Sequence, residues 1–224
     1  NYGNCHGGSI FLNDGKGKFA IASVDTTDVE MTYTNTKLVW DSDGNTQGVN
    51  TGPSRIAIDV FVGDLNGDGK VDLVAPNGYA GGAFATFINT STAGNLTFNI
   101  IYTFDPVDVF STTIGKNGAL LDIDGDTDLD MIVSGSISDT NDPTELIHAY
   151  INDGTGLFTK VNSKFVAQPG VEHARQWLVD DFNNDGRDAL IVADHGLDRG
   201  SFPGEKHLLL INNGAGQLED KTAT

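Results

Sequence analysis

The chain has 224 residues, a formal net charge of −18 and a sequence pI of about 4.3, with 31 acidic against 13 basic side chains. That balance excludes a surface built to hold nucleic acid or anionic lipid, because no basic stripe offsets the repulsion. One cysteine, Cys5, rules out an internal disulfide, and no apolar run approaches the roughly eighteen residues of a membrane-spanning helix. The N-terminus lacks a basic region followed by an apolar stretch, so any signal peptide is expected to have been removed or to lie outside this sequence.

Residues 1–22 contain FLNDGKGKF from Phe11, two β-type segments around an Asn/Gly turn. This is the pattern of a β-hairpin, with no acidic loop before it, so the stretch reads as the second half of a four-stranded unit. Residues 23–54 lapse into a polar insertion. Its segment Asp41–Gly48 sets Asp41, Asp43 and Asn45 at alternate positions, but no apolar strand follows. A surface loop suited to recognition is the expectation there.

From Asp64 a pattern begins that then recurs. DLNGDGKVDLV is followed by DIDGDTDLDMIV from Asp122 and DFNNDGRDALIV from Asp181, with starts 58 and 59 residues apart. Each acidic loop runs into an apolar strand, and each is followed by a hairpin: FINTSTAGNLTF from Phe87, YINDGTGLF from Tyr150 and LINNGAGQL from Leu210. The turn asparagines are Asn13, Asn89, Asn152 and Asn212. Repetition at roughly sixty residues means an array in which each unit buries its apolar face against the next. An acidic loop, an apolar strand, a connection and a hairpin make four short antiparallel strands per unit, the make-up of a propeller blade. The expected fold is all-β, a β-propeller region of about three and a half blades, with complete blades near 55–110, 111–170 and 171–224. A ring takes about four to eight blades. The chain is therefore expected to be a piece of a longer protein, with self-association of two copies into one ring as the alternative.

The loops have the chemistry of a hard-cation site. Positions 1, 3 and 5 of the first are Asp64, Asn66 and Asp68, whose oxygens converge if the backbone curls around one point. Gly69 permits the turn, Lys70 at position 7 offers a backbone carbonyl, and Asp72 at position 9 closes the shell. The second loop supplies Asp122, Asp124, Asp126 and Asp130, with Asp128 at position 7 and Thr127 in place of the glycine, which predicts a more strained turn. The third supplies Asp181, Asn183 and Asp185 with Gly186, Arg187 and Asp188, but has Ala189 at position 9. It is expected to be the weakest or empty site. Oxygen donors at this density select calcium rather than zinc. Position 12 is Ala75, Val133 or Val192 within a strand-like run, which excludes an EF-hand.

Other features carry less. Asn89 and Asn95 head sequons in the one hairpin that departs from the NDGTG form, and would accept glycans in a eukaryotic secreted protein. His173 with Arg175, and His195 with Asp194 and Asp198, flank the third loop. An acid–base pair can be built from such groups, although fixing loops or lining a groove is their commoner role, and no catalytic residue is assigned. Serine-hydrolase, P-loop and dinucleotide motifs are absent. Tyr79, Phe84 and Trp177 are candidates for stacking on sugars, with core packing the commoner use.

The loops Asp64–Asp72, Asp122–Asp130 and Asp181–Asp188, each followed by Leu, Ile or Val and later by an NDGTG-type hairpin, resemble FG-GAP or VCBS repeats, as in integrin α-subunit propellers and secreted bacterial and fungal proteins. The resemblance covers nearly all of the chain apart from about residues 22–50. It implies calcium in the blade loops and an extracellular, secreted or cell-surface setting. It does not imply one activity. A binding or adhesion module, lectin-like or recognising a protein ligand, is the first reading. A propeller belonging to a secreted carbohydrate-active enzyme of the polysaccharide-lyase kind, and a structural surface or filament subunit, are the alternatives.

Overall fold

Alternating apolar and polar residues beside Asp- and Gly-rich loops give short strands throughout, and the three repeats fold as three antiparallel sheets. The computed structural model describes residues 11–13, 16, 18–21, 30–33, 36–39, 54–57, 60–79, 83–93, 96–104, 117–134, 145–167, 169–171, 174–194 and 206–222. Among these there is no α-helix, only a 3-10 turn at Asn162–Lys164.

Two hairpins come first: β1 (Phe11–Asn13) with β2 (Phe19–Ile21), and β3 (Glu30–Tyr33) with β4 (Thr36–Val39). The second lies inside the stretch expected as a polar insertion. Met31 and Tyr33 alternate with Glu30 and Thr32, and Leu38 and Val39 fall opposite Met31 and Glu30, which suits a strand pair. The segment Asp41–Gly48 lies outside the described residues.

The first sheet is built from β6 (Phe61–Gly63), β7 (Asp72–Tyr79), β8 (Ala83–Asn89) and β9 (Phe98–Phe104), with β5 (Ser54–Ala57) pairing the far end of β7. The second contains β10 (Gly118–Leu121), β11 (Asp130–Ser134), β12 (Glu145–Asn152) and β13 (Phe158–Lys160), with β14 (Gly170–Val171) on the far end of β12. The third contains β15 (Ala174–Asp180), β16 (Ala189–Asp194), β17 (Leu208–Asn212) and β18 (Leu218–Asp220). Each acidic loop joins the first two of its four main strands, and each hairpin joins the last two.

The sheets stack face to face. Phe61, Leu65, Val74 and Ile88 of the first unit pack against Met131, Val133, Tyr150 and Phe158 of the second. On its other side the second sheet packs Leu121, Ile132, Ile147 and Ala149 against Leu190, Val192, Leu210 and Leu218 of the third. The middle sheet is thus covered on both faces, which explains why all five residues of β11 are buried and why DMIVS does not alternate. The leading strands lie side by side, β10 between β6 and β15. An amide from Asn117 to the Ala174 carbonyl (2.9 Å) ties the start of β10 to the start of β15.

The stack is latched by the hairpin asparagines. Asn152 Nδ2 donates to the carbonyl of Leu65, 87 residues away, at 2.8 Å, and Asn212 Nδ2 donates to the carbonyl of Ile123 at 2.8 Å. Leu65 and Ile123 both occupy position 2 of their loops. The same bond therefore recurs at successive junctions, always from the hairpin of one unit to the acidic loop of the unit before it.

Candidate metal centre

Each loop is curled by its own first carboxylate. Asp64 accepts the N–H groups of Asp68 (3.1 Å) and Gly69 (2.8 Å), and Asp181 accepts those of Asp185 (3.0 Å) and Gly186 (2.8 Å). Asp122 accepts from Gly125 (2.7 Å) and Thr127 (3.0 Å). Position 6 needs a positive φ in every loop: 81° at Gly69, 82° at Gly186 and 80° at Thr127. A β-branched residue in that region is strained, as the sequence predicts for the second loop.

The loops differ in how their charge is compensated. In the first, Lys70 Nζ lies 3.1 Å from Asp68 Oδ2, and the Lys70 backbone N–H together with its ammonium holds that carboxyl below its usual range. In the third, Asp185 is held down by the Asn183 amide and by Arg187, whose guanidinium stands 2.9 Å away. The second loop has no basic residue at position 7. There the N–H of Asp128 pulls Asp126 down, but burial and the charges of Asp124, Asp128 and Asp122 leave its carboxyl raised. Lys164 reaches Asp124 Oδ2 at 3.0 Å, leaving Asp124 Oδ1 buried without a hydrogen-bond partner.

Position 9 has a role that the sequence reading did not assign. Asp72 and Asp130 are fully buried. Asp72 accepts the N–H of Leu65 (2.8 Å) and of Asn89 (2.7 Å), and Asp130 accepts those of Ile123 (2.9 Å) and Asn152 (2.9 Å). Each carboxylate thereby staples the start of its loop to the hairpin of its own sheet. Burial, opposed by these two donors and reinforced by Asp124 and Asp126, pushes Asp130 up to about 6. In the third unit Ala189 fills this position, and the N–H of Phe182 turns instead to the carbonyl of Asp180 at 3.1 Å.

Oxygens of Asp122, Asp124 and Asp130 lie within 4.8 Å of one another, the one group of three acidic, His or Cys side chains so gathered among the described residues. The donor set fits a hard divalent cation: all ligands are oxygen, Asp124 Oδ1 is a buried acceptor with nothing to accept, and the charges of Asp122, Asp124 and Asp128 press on Asp126. Asp64, Asp68 and Asp72 do not gather in this way, and Asp181, Asp185 and Asp188 do not either. Trp177 is half-buried against the core between the second and third sheets, which is a packing role. The side chains of Tyr79 and Phe84, and the residues His173, His195, Asp198 and Asn95, lie outside the described residues. Compared with known proteins, the chain matches no family model, no curated protein and no solved structure at a significant level.

Proposed function

We propose that this chain is the calcium-binding region of a β-propeller that works outside the cell as a binding or adhesion module, with an extracellular glycan or protein as its ligand. The observation that carries this reading is the gathered carboxylates of Asp122, Asp124 and Asp130, three acids met by the single cation of Lys164 on Asp124, set in a loop type that occurs three times at one period. Side-by-side leading strands and face-to-face sheets support blades turning about a common axis.

In the second loop Asp122, Asp124, Asp126 and Asp130 hold the ion, with the carbonyl of Asp128 beside them. Asp64, Asn66, Asp68 and Asp72 with the Lys70 carbonyl form the first site, and Asp181, Asn183, Asp185 and Asp188 with the Arg187 carbonyl form the third. Bound calcium supplies positive charge where the carboxylates repel one another. The chain forms no internal disulfide, and an ion that binds only the folded state stabilises it by mass action, an advantage where calcium is plentiful. Calorimetry of chelator-stripped protein tests the metal reading: uptake of calcium with the second loop filling first supports it, and no uptake removes it. A glycan array run in calcium and in chelator tests the ligand class, with calcium-dependent binding as the expected result.

A further inference from the structure

Asparagine is followed by glycine at Asn66, Asn77, Asn117 and Asn213. Such a step is reactive, because glycine has no side chain to shield its backbone nitrogen from the side-chain amide carbon of the asparagine before it. The fold restrains most of these steps. Asn77 and Gly78 lie within β7, and Gly118 opens β10, where the Asn117 amide is fixed on the Ala174 carbonyl at 2.9 Å. The Gly214 N–H donates to Asn212 Oδ1 at 3.0 Å. Gly67 differs: it is exposed, its φ is 71°, and its N–H makes no hydrogen bond among the described residues. At the same place in the other two loops, the N–H of Gly125 is taken by Asp122 (2.7 Å) and that of Asn184 by the Asp181 carbonyl (3.5 Å). Asn66 Oδ1 accepts the Asp68 N–H at 3.2 Å, which draws electron density from the carbon to be attacked.

We infer that Asn66 is a deamidation site, and that its aspartate product gives the first loop the acidic set of the second. The Gly67 nitrogen bonds to Asn66 Cγ, the bond from Cγ to the side-chain nitrogen breaks, and ammonia leaves with the proton of the Gly67 N–H. Water then opens the cyclic imide. Addition at Cγ gives aspartate at position 66, and addition at the main-chain carbonyl gives isoaspartate. The place of the new carboxylate is what matters. Asp122, Asp124 and Asp130, gathered in the second loop, stand at its positions 1, 3 and 9. The first loop has Asp64 and Asp72 at positions 1 and 9 but Asn66 at position 3. The two loops are otherwise built alike. Asp64 holds the Gly69 N–H as Asp122 holds that of Thr127, and Asp72 staples Leu65 as Asp130 staples Ile123. The third loop cannot reach this set, since Ala189 fills its position 9.

The consequence for the ion rests on the calcium reading above; the modification itself does not. The test of the modification is peptide mass spectrometry of the full chain held in chelator at mildly alkaline pH. Asn66 should show the mass gain of amide-to-acid conversion at least about fivefold faster than Asn213, whose neighbouring N–H must first break a hydrogen bond. No gain at Asn66, or an equal gain at Asn213, overturns the inference. In calorimetry, Asn66→Asp should raise calcium affinity at the first loop at least about tenfold, since the number of charged ligands sets affinity in such loops. An unchanged first-loop affinity in that variant, with the second loop still filling, overturns the assigned consequence. Calcium uptake by no loop of either protein removes the calcium reading and this consequence with it, while the mass gain at Asn66 still decides the modification.

Discussion

Acidifying the metal-free protein from pH 7 to pH 5 should stabilise it, against the usual trend for a chain with 31 acidic residues. Asp130 is the reason. Its folded carboxyl is pushed from 3.8 to about 6 by burial, with Asp124 and Asp126 adding to the effect. A group raised in the folded state contributes stability that is fully present below its unfolded value and lost as pH rises through the folded one. At about 1.4 kcal/mol per tenfold, the ceiling is about 3 kcal/mol, of which about 1 kcal/mol is recovered between pH 7 and pH 5. For a chain of this size that is a rise in Tm of about 2–4 °C. Asp68 and Asp185 are shifted downward, so their contributions are lost only below the ordinary carboxylate range and do not enter this window. In calcium the slope should reverse, because protons then compete with the ion for Asp130. The assay is thermal melting by circular dichroism at both pH values, with and without calcium, on the wild type and Asp130→Asn. The variant turns an amide toward a backbone N–H and is expected to lose about 1–3 kcal/mol at every pH. Its slope is the readout, since it retains every other titration in the window. Asp126, also raised, acts in the same direction and remains in the variant, so an apo Tm that falls on acidification, or a slope undiminished in Asp130→Asn, would refute the reasoning.

Excess chelator should lower the Tm relative to millimolar calcium, and Asp124→Ala should erase most of that difference because it opens the second loop; melting curves decide both. Ala189→Asp should raise calcium affinity at the third loop alone and restore an acceptor for the Phe182 N–H, which calorimetry and amide exchange can follow; unchanged affinity would mean that Asp188 or water already closes the shell. Asn152→Ala removes donors to Leu65 and Leu129 and an acceptor for Gly154 and Gly156 in a buried site, and should cost about 3 kcal/mol in denaturant titration. Gly156→Ala combines a φ of 86° with a Cβ that would meet Ile88 Cδ1 at 2.5 Å, and should cost at least about 2 kcal/mol by the same method.

What the sequence made legible is local chemistry. The acidic loops, their turns and the hairpins follow from Asp, Asn and Gly at fixed offsets, and the strain at Thr127 follows from a single substitution in that pattern. The Lys70–Asp68 and Arg187–Asp185 pairs were equally local, two residues apart, but a reading of position 7 as a carbonyl donor passes over its side chain. The buried staple at Asp72 and Asp130 is different in kind. Nothing within the loop says that the N–H of Asn152 will lie beside Asp130, because that depends on how β11 and β12 register. The latch from Asn152 to Leu65 spans 87 residues and depends on how two sheets stack. Asparagine in a hairpin turn already has a sufficient local reason to be there, which hides the distant one.

These distant bonds join the acidic loops to the stack. Asp130 holds the start of its loop through Ile123 and the end of its hairpin through Asn152, and the side chain of Asn152 then reaches the first loop at Leu65. Ile123 in turn receives Asn212 from the third unit. A cation held in the second loop would therefore bear on both junctions of the middle sheet, because it would fix the charge on the group to which both latches are anchored. Loss of such an ion would leave a carboxylate of raised pKa at that anchor, and the cost would fall on the contacts between units as well as on the loop. In the third unit Ala189 breaks the chain of bonds, since no carboxylate there links loop to hairpin. Its loop is thus not stapled to the hairpin whose Asn212 makes the junction with the second unit.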